Sequence, residues 1–364
     1  MDNVLITTLH FYNNFGSVLQ AYALKHALES KFFAQADLFP YRPNIREWEY
    51  FTDEALKQLY SNKAAKFQDF RVKVLGMPGQ SNNSIAASFQ AMNHAAGDYD
   101  AYIVGSDIVW GREFSNLEAP YFLMHAPDAA KRIAYAASVL LDKGGHTEAD
   151  DIFRDGLKGF DAIGMRETSS VEPVRRLAAG NDVEAVLDPT LLLNAGDYEP
   201  LVIENDDMRE APYLLSYFLT HDPAVVDYTN MIAKKMGLRV IHYFADYPGN
   251  IFDPDAGCFA FAGPGEFLGY VKHAAMVFTN SFHGTCFSMI YRKPFYTYMA
   301  KRNMLSRVRD TVERLGMEER YFTDFRDLPK VTADIDYGVF EQRLAAEQNR
   351  SFDFLKRALG ARDV

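Results

Sequence analysis

The chain contains few cysteines and no excess of basic residues. Its two cysteines, Cys258 and Cys286, form no Cys-x-x-Cys pair, so the sequence predicts neither a disulfide framework nor a zinc site. The 38 lysines and arginines are outnumbered by 49 aspartates and glutamates, which gives a formal net charge of −11. Because nucleic-acid binding needs a clustered basic face, nucleic acid is excluded as the expected main partner. A small anionic ligand remains compatible with this charge.

Long apolar segments are also absent. No stretch reaches the roughly 20 apolar residues of a transmembrane helix. The first residues, 1–4, lack the basic and apolar segments of a signal peptide, and we therefore expect a cytoplasmic protein. With 48% hydrophobic and 24% charged residues the chain is typical of folded proteins, and its 364 residues predict two domains.

Short apolar, β-rich segments alternate with helical patterns and then, after an acidic segment with three prolines, the alternation begins again. The strands predicted before this segment are 4–8, 101–104, 133–137, 162–165 and 183–187. Those predicted after it are 213–218, 239–243, 276–279 and 294–298. Strands that alternate with helices through short connections predict parallel, doubly wound sheets, and hence an α/β fold.

The same alternation predicts the domain boundaries. We expect an N-terminal Rossmann-like lobe over residues 1–200 and a C-terminal one over 201–339, with a terminal helix at 340–364 that packs back on the first lobe. Residues 46–95 are helix-rich and charged, and they are interpreted as an insertion without assigned chemistry.

The most informative segment is Asn280-Ser281-Phe282-His283-Gly284, which follows the predicted strand 276–279. A helix is predicted from Thr285 onwards. Ligands of α/β folds bind at the carboxyl ends of strands, and a helix N-terminus offers free N–H groups to an anion. The alternative is a structural histidine in an ordinary turn.

Two segments of the first half carry polar groups at strand ends. Ser106 and Asp107 follow a predicted strand, where a carboxylate could deprotonate a sugar hydroxyl or simply cap a helix. Asn14, Ser17 and Gln20 crowd amides and a hydroxyl into the first loop and helix. They either cap that helix or bind sugar hydroxyls.

Arginines that follow strands are candidate anion ligands. Arg166 and Arg302 are suited to bidentate contact with phosphate or carboxylate, although an exposed ion pair is the alternative for each. The spacing Gly263-x-Gly265-x-x-x-Gly269 departs from the dinucleotide fingerprint because the third glycine is one position late. Neither NAD nor FAD is therefore predicted.

Taken in order, these segments resemble the polysaccharide pyruvyl transferase family. The resemblance extends from residue 5 to about residue 355. The segments that carry it are Asn13-Asn14-Phe15-Gly16-Ser17-Val18-Leu19-Gln20, Gly105-Ser106-Asp107-Ile108-Val109-Trp110, Asp188-Pro189-Thr190, Gly265-Glu266-Phe267-Leu268, Thr279-Asn280-Ser281-Phe282-His283-Gly284 and Arg302-Asn303-x-x-Ser306-Arg307.

The resemblance implies two Rossmann-like lobes that face a cleft, as in GT-B glycosyltransferases. It also implies transfer of a pyruvyl group from phosphoenolpyruvate to two sugar hydroxyls, with formation of a cyclic ketal. His283 matches the histidine at the family's donor site. Phosphoenolpyruvate is a substrate, and no metal or other cofactor is expected.

Site roles are assigned on this basis. His283 is the expected acid, or a phosphate ligand, and Asp107 the expected base. The donor is expected to contact a set on the second lobe together with one arginine of the first: Asn280, Ser281, Gly284, Thr285, Arg302 and Arg166. The acceptor is expected to contact Asn14, Gly16, Ser17, Gln20 and Ser106.

Two other functions are compatible with the same sequence. One is a GT-B-type glycosyltransferase that uses a nucleotide sugar, and the other is a non-catalytic sugar-binding protein. The expected partners are phosphoenolpyruvate and a sugar or lipid-linked glycan. A lipid-linked acceptor would bring the protein to the membrane surface without a transmembrane segment.

Overall fold

The computed structural model describes residues 3–42, 54–79, 84–94, 99–111, 119–140, 148–178, 180–219, 222–244, 262–299, 305–324 and 331–360. Neighbouring strands are parallel in both of its sheets. The first sheet consists of β1 (Asn3–Thr7), β2 (Gln35–Leu38), β3 (Ala101–Val104), β4 (Asp107–Gly111), β5 (Lys131–Leu140), β6 (Ala162–Met165) and β7 (Val183–Ala185). The second consists of β8 (Tyr213–Phe218), β9 (Arg239–Phe244), β10 (Met276–Thr279), β11 (Phe295–Tyr298) and β12 (Tyr321–Phe322).

Helices cover both sheets, and we call the elements around each sheet the first and the second lobe. The helices up to the last strand of the first sheet are α1 (Phe15–Phe32), α2 (Glu54–Lys73), α3 (Ile85–Met92), α4 (Glu148–Leu157) and α5 (Thr168–Leu177). Those that follow are α6 (Ala195–Tyr198), α7 (Asp207–Glu210), α8 (Pro223–Met236), α9 (Pro264–His273), α10 (Phe282–Ile290), α11 (Leu305–Arg314) and α12 (Gly338–Leu359).

The prediction of two parallel sheets with helices is confirmed. β2, β4 and the two-residue strand β12 were not predicted. β2 is short and polar, and among the described residues it pairs only with β1 at one edge of the sheet. β4 follows β3 after two residues, which is too short a connection for a hydrophobic pattern to reveal.

Each sheet has a topological switch point. In the first sheet the order β2-β1-β3 places β1 between its two sequence successors, so the connections leave β1 and β3 in opposite directions. In the second sheet the order is β10-β8-β9, so the connections leave β8 and β10 in opposite directions. Ligands of open α/β sheets bind in the crevice outside the carboxyl ends of such strands. The expected crevices are therefore bordered by the loops after β1 and β3 and by those after β8 and β10.

Helix α1 joins the lobes. Asn14 caps it by accepting a hydrogen bond from the Ser17 N–H at 3.2 Å. Its first residue, Phe15, stacks on Phe267 of α9 with ring centroids 4.6 Å apart, and it also contacts the edge of Tyr217 on β8. Burying a phenylalanine side chain contributes roughly 1.5–3 kcal/mol. The start of α1 is therefore anchored in the second lobe.

The segment interpreted as an insertion also bridges the lobes. Lys63 of α2 is buried and donates a hydrogen bond to the Tyr243 hydroxyl on β9. Its ammonium group lies 4.7 Å from the Tyr243 ring centroid and 5.2 Å from that of Phe15. One turn further, Lys66 forms an ion pair with Glu266 of α9. These contacts give the predicted helical insertion a structural role between the lobes.

The terminal helix α12 packs on the first lobe. Ser351 Oγ accepts a hydrogen bond from the Leu187 N–H at 2.9 Å, and Gln348 donates to the Leu191 carbonyl at 2.8 Å. Phe354 lies against Gly164 of β6, where a Cβ atom would come within 3.1 Å of its ring. None of the helices in the described part of the chain is long and apolar enough to cross a membrane.

The environment of Lys63 predicts a pH-dependent stability. Burial lowers the pKa of Lys63 to about 7, below the roughly 10.4 of an unfolded lysine. Between these values the unfolded chain binds the extra proton, so folding stability rises with pH, by at most about 1.4 kcal/mol per pH unit. We expect wild type to gain stability relative to Lys63→Met between pH 7 and about 10 in urea unfolding.

The control for this comparison is Lys73→Met, which removes an exposed ammonium group from the same helix. Its stability relative to wild type should change little over the same pH range. A difference between wild type and Lys63→Met that does not depend on pH would contradict a desolvated lysine at this position.

Candidate active site between the two sheets

His283 lies in the first turn of α10, which starts at Phe282, three residues before the predicted start. Ser281 caps this helix, because its Oγ accepts a hydrogen bond from the Gly284 N–H at 3.1 Å. Gly284 has no space for a side chain, since a Cβ atom would come within 2.6 Å of Thr279 Oγ1 and 2.8 Å of Tyr217 Cδ1. The glycine therefore lets α10 approach β8 and β10 closely, and this approach sets the position of the histidine.

This cap changes the predicted anion site. The N–H groups of Gly284 and Thr285 both donate to Ser281, to its hydroxyl and its carbonyl respectively. The Thr285 hydroxyl is buried and bonded to the Ser281 carbonyl and to Thr297 on β11. The N–H groups of Gly284 and Thr285 are therefore not free for an anion, because the helix begins earlier than predicted and its cap uses them.

A buried carboxylate of the first lobe faces His283. Nε2 of His283 lies 3.5 Å from Oδ2 of Asp188, which immediately precedes the 3-10 turn Pro189–Leu192. No hydrogen bond is formed at this distance, so the contact is that of an ion pair when the imidazole is charged. Asp188 was not predicted as a site residue, although its Asp-Pro-Thr segment contributed to the family resemblance. Its position directly after a strand was the available signal.

Asp188 is held rigidly. Its Oδ2 accepts hydrogen bonds from Ser106 Oγ at 2.7 Å and from Arg166 Nη1 at 3.3 Å. Its Oδ1 accepts from the Thr190 N–H at 3.0 Å and from the Thr190 hydroxyl at 2.6 Å. Burial disfavours the ionised carboxyl, but the charges of His283 and Arg166 outweigh it and hold the pKa of Asp188 well below its usual range. An ionised carboxylate thus faces the imidazole of the other lobe.

Besides Asp188, the imidazole of His283 contacts Gly16 of the first lobe. This glycine lies in the first turn of α1, and a Cβ atom at this position would come within 2.0 Å of His283 Nδ1. The ring of the second-lobe histidine therefore packs directly on the backbone of the first lobe. The structure places Gly16 beside the imidazole, where only a residue without a side chain leaves room.

Asp107 lies at the switch point of the first sheet in an unusual conformation. Its φ of 76° is in the left-handed region, which non-glycine residues rarely adopt. It opens strand β4, so the alternative role of helix N-cap does not apply. Its Oδ2 accepts a hydrogen bond from Ser17 Oγ at 2.7 Å, and its Oδ1 accepts from the Ile108 N–H at 2.9 Å. Such backbone strain is concentrated at functional sites.

Arg166 lies within electrostatic reach of both Asp188 and Asp107. Its guanidinium bonds to Glu167 Oε1 at 3.0 Å and to Asp188, and it stacks 4.2 Å from the ring centroid of Phe282 at the start of α10. Burial lowers the pKa of Arg166, but the carboxylates of Glu167, Asp188 and Asp107 outweigh it and raise the pKa above its ordinary value. Arg166 is therefore a permanent positive charge between the lobes.

Arg307 is a further cation that was not assigned to the site. It lies on α11, which packs against α10 and α5, and only 9% of its surface is exposed. Among the described residues its guanidinium has no hydrogen bond or ion pair. Burial and the positive charge of Arg166 lower the pKa of Arg307, while Glu167 and Asp107 act in the opposite direction. Arg302, the predicted cation of this segment, lies outside the described residues, as does Cys258.

Several predicted ligand residues have structural partners. Gln20 is fully buried and donates to Thr8 Oγ1 at 2.9 Å and to the Leu9 and Ser17 carbonyls. Ser106 is buried and engaged with Asp188, as described above. Asn280 connects the two switch-point loops of the second sheet, because its Oδ1 accepts a hydrogen bond from the Leu219 N–H at 2.7 Å. Through these hydrogen bonds, Gln20, Ser106 and Asn280 hold the loops of the site in place.

The cysteine next to this site is inert. Cys286 is fully buried, and its burial raises the pKa of the thiol well above its ordinary value. A protonated, inaccessible thiol is a poor nucleophile. Cys286 is therefore not a candidate for the chemistry of this site.

Comparison with known sequences identifies the family. The sequence model of the polysaccharide pyruvyl transferase family matches residues 14–299, most of the chain, including the segments that carry His283, Asp107 and Asp188. The chain belongs to the polysaccharide pyruvyl transferase family. No individual curated protein matches it significantly.

Solved structures support the fold. A structure of S. aureus MnaA with UDP is similar over 100% of this chain and 98% of its own, with 10% identity and a TM-score of 0.52. The UDP-N-acetylglucosamine 2-epimerase from Rickettsia bellii is similar over 99% of this chain and 97% of its own, with 9% identity and a TM-score of 0.53. The predicted GT-B-like architecture of this pyruvyl transferase family member is thereby confirmed.

The close contact between Gly16 and His283 predicts that a side chain at residue 16 displaces the imidazole. Gly16→Ala should force the imidazole away from Asp188, because a methyl group has no space beside Nδ1. Replacing a helical glycine by alanine normally stabilises a protein by roughly 0.4–1 kcal/mol, and here we expect the melting temperature to fall. The displaced ring should change the imidazole signals in proton–nitrogen NMR correlation spectra.

Gly79→Ala is the control, because a Cβ atom at Gly79 meets no atom within 4 Å. It should leave the imidazole spectrum unchanged. An unchanged spectrum and a raised melting temperature for Gly16→Ala would show that the histidine does not depend on this contact.

Proposed function

We propose that this protein transfers the pyruvyl group of phosphoenolpyruvate to two hydroxyls of a sugar in a polysaccharide or its precursor, forming a cyclic ketal. The observation that carries the proposal is the guanidinium of Arg307. It is buried, it has no partner among the described residues, and it lies within electrostatic reach of Arg166 and Asp107. A charge in this situation calls for an anionic ligand.

The chemistry of the donor fits this charge. Phosphoenolpyruvate carries a phosphate and a carboxylate, and guanidinium groups bind both in bidentate geometry. An uncompensated buried charge costs several kcal/mol, which an anion that binds beside it can offset. Arg166 already shares its charge with Glu167 and Asp188. We therefore assign the main anion contact to Arg307, with Arg166 in support.

In the proposed reaction His283 supplies the first proton. Protonation of the methylene carbon of phosphoenolpyruvate makes C2 electrophilic, and an imidazole can donate a proton near neutral pH. Asp188 would balance the imidazolium before the transfer and hold the ring afterwards. This role follows from the 3.5 Å contact between His283 Nε2 and the Asp188 carboxylate.

Asp107 is the proposed base. One sugar hydroxyl attacks C2 and loses its proton to the carboxylate; the bond from C2 to the phosphate oxygen then breaks, and the second hydroxyl adds to C2. The two protons released from the hydroxyls balance the one added to the methylene carbon and the one taken up by phosphate. The hydrogen bond from Ser17 at 2.7 Å orients the Asp107 carboxylate for this task.

A GT-B-type glycosyltransferase that uses a nucleotide sugar is the second candidate. It is favoured by the fold shared with S. aureus MnaA, whose structure is a co-structure with UDP. Glycosyl transfer would require a nucleotide pocket on the second lobe in place of a small anion site around Arg307. A sugar-binding protein without catalysis is a third candidate and would bind ligands without turnover.

Donor binding distinguishes these functions. We expect phosphoenolpyruvate at about 100 times its Kd to stabilise the protein by about 2.7 kcal/mol, while UDP-glucose has no effect. Arg307→Ala should weaken phosphoenolpyruvate binding by at least about tenfold in calorimetric titration, because a charge-assisted hydrogen bond to the anion is lost. Asp107→Asn should bind the donor as wild type does, because the proposed base contacts the acceptor.

The matched control is Arg309→Ala, which removes an exposed guanidinium from the same helix. It should bind phosphoenolpyruvate like wild type. Stabilisation by UDP-glucose alone would favour glycosyl transfer. Equal binding by Arg307→Ala and wild type would refute the proposed donor site.

A further inference from the structure

A polar cavity lies at the carboxyl edge of the first sheet. Its volume is about 350 Å³, at the lower end of the roughly 300–1,000 Å³ of ligand pockets. Three segments form its walls: the loop after β1, the segment after β2 and helix α2. The residues that matter for recognition are Phe11, Asn13, Arg42, Ser61, Gln68 and Arg71.

The lining is basic in an acidic protein. Two guanidinium groups, Arg42 and Arg71, face a cavity whose described lining contains no acidic residue, while the chain as a whole has a net charge of −11. Guanidinium groups in pairs are suited to carboxylate and phosphate. The other lining groups are two amides, one hydroxyl and one aromatic ring, which match the hydroxyls and apolar faces of a sugar.

One side of the cavity is preorganised. Arg71 is 8% exposed and donates hydrogen bonds to the His10 carbonyl at 3.2 Å and to Asn13 Oδ1 at 3.1 Å. A further bond runs from its Nε to Gln68 Oε1 at 3.3 Å. These bonds fix the loop after β1 against α2, so the site needs little ordering when a ligand binds.

The loop that lines the cavity leads to the acceptor side of the proposed active site. Asn13 lines the cavity, the next residue caps α1, and Ser17 in the first turn of α1 holds Asp107. A ligand in the cavity would therefore lie against the loop after β1, which leads into the helix turn whose Ser17 bonds to the proposed base. It would be separated from the anion site around Arg307, which belongs to the second lobe.

We propose that this cavity binds an anionic group of the acceptor glycan, the carboxylate or phosphate of a sugar residue near the one that is modified. The identification of the ligand as part of the acceptor rests on the proposed function. The binding of an anionic sugar does not. The protein would on this account select acidic or phosphorylated glycans over neutral ones.

The experiment is calorimetric titration with glucuronate, glucose 1-phosphate, inorganic phosphate and glucose. Wild type should bind one of the two anionic sugars at least about tenfold more tightly than glucose, because each charge-assisted hydrogen bond is worth that factor. Which of the two binds distinguishes a carboxylate from a phosphate ligand. Equal binding of glucose, or equal binding of phosphate alone, would overturn the proposal.

Variants locate the site. Arg42→Gln removes one cation, and Ala65→Glu places a carboxylate in the cavity from an exposed helical position that tolerates it. Both should weaken binding of the anionic sugar by about tenfold or more. Asn62→Glu makes the same charge change on α2 at an exposed residue outside the lining, and it should bind like wild type. Equal weakening by Asn62→Glu and Ala65→Glu would indicate a general charge effect and refute the site.

Phosphoenolpyruvate binding separates this proposal from the function on which it rests. Ala65→Glu should bind phosphoenolpyruvate as wild type does. If it loses donor binding, the cavity is the donor site and the assignment to the acceptor is wrong. If wild type binds an anionic sugar here but does not bind phosphoenolpyruvate, the proposed sugar site is supported and the proposed pyruvyl transfer is refuted.

Discussion

The site depends on one buried carboxylate. Asp188 has almost no exposure, yet the charges of His283 and Arg166 hold the pKa of its carboxyl below the usual range, and Ser106 and Thr190 donate hydrogen bonds to it. Removing one partner of such a buried pair typically costs about 3–5 kcal/mol, so these groups are fixed as a unit. Since His283 belongs to the other lobe, its contact with this carboxylate joins the first-lobe and second-lobe parts of the site.

Packing enforces the same geometry. Phe15 anchors the start of α1 among second-lobe aromatic rings, and the adjacent Gly16 brings its backbone against the imidazole of His283. Lys63 and the terminal helix α12 add contacts away from the site. A rigid frame of this kind suits a reaction in which a donor bound on one lobe must meet hydroxyls held on the other.

The sequence predicted the fold class, most strands and the positions of His283 and Asp107, because apolar runs that end in polar residues mark strand ends locally. It did not predict the start of α10, since Ser281 was not recognised as a cap and the helix begins three residues early. Nor did it predict the roles of Asp188 and Arg307. Their significance comes from burial and from groups distant in sequence, such as His283 for Asp188 and Asp107 for Arg307, which no local pattern encodes.

The central claim is that His283 and Asp188 act as one unit across the lobes. A double-mutant cycle in phosphoenolpyruvate affinity, with His283→Asn, Asp188→Asn and the combined variant, tests it most directly. Groups that act together are non-additive. We predict that the combined variant binds no more weakly than the weaker single variant. Free-energy losses that simply add would contradict the account.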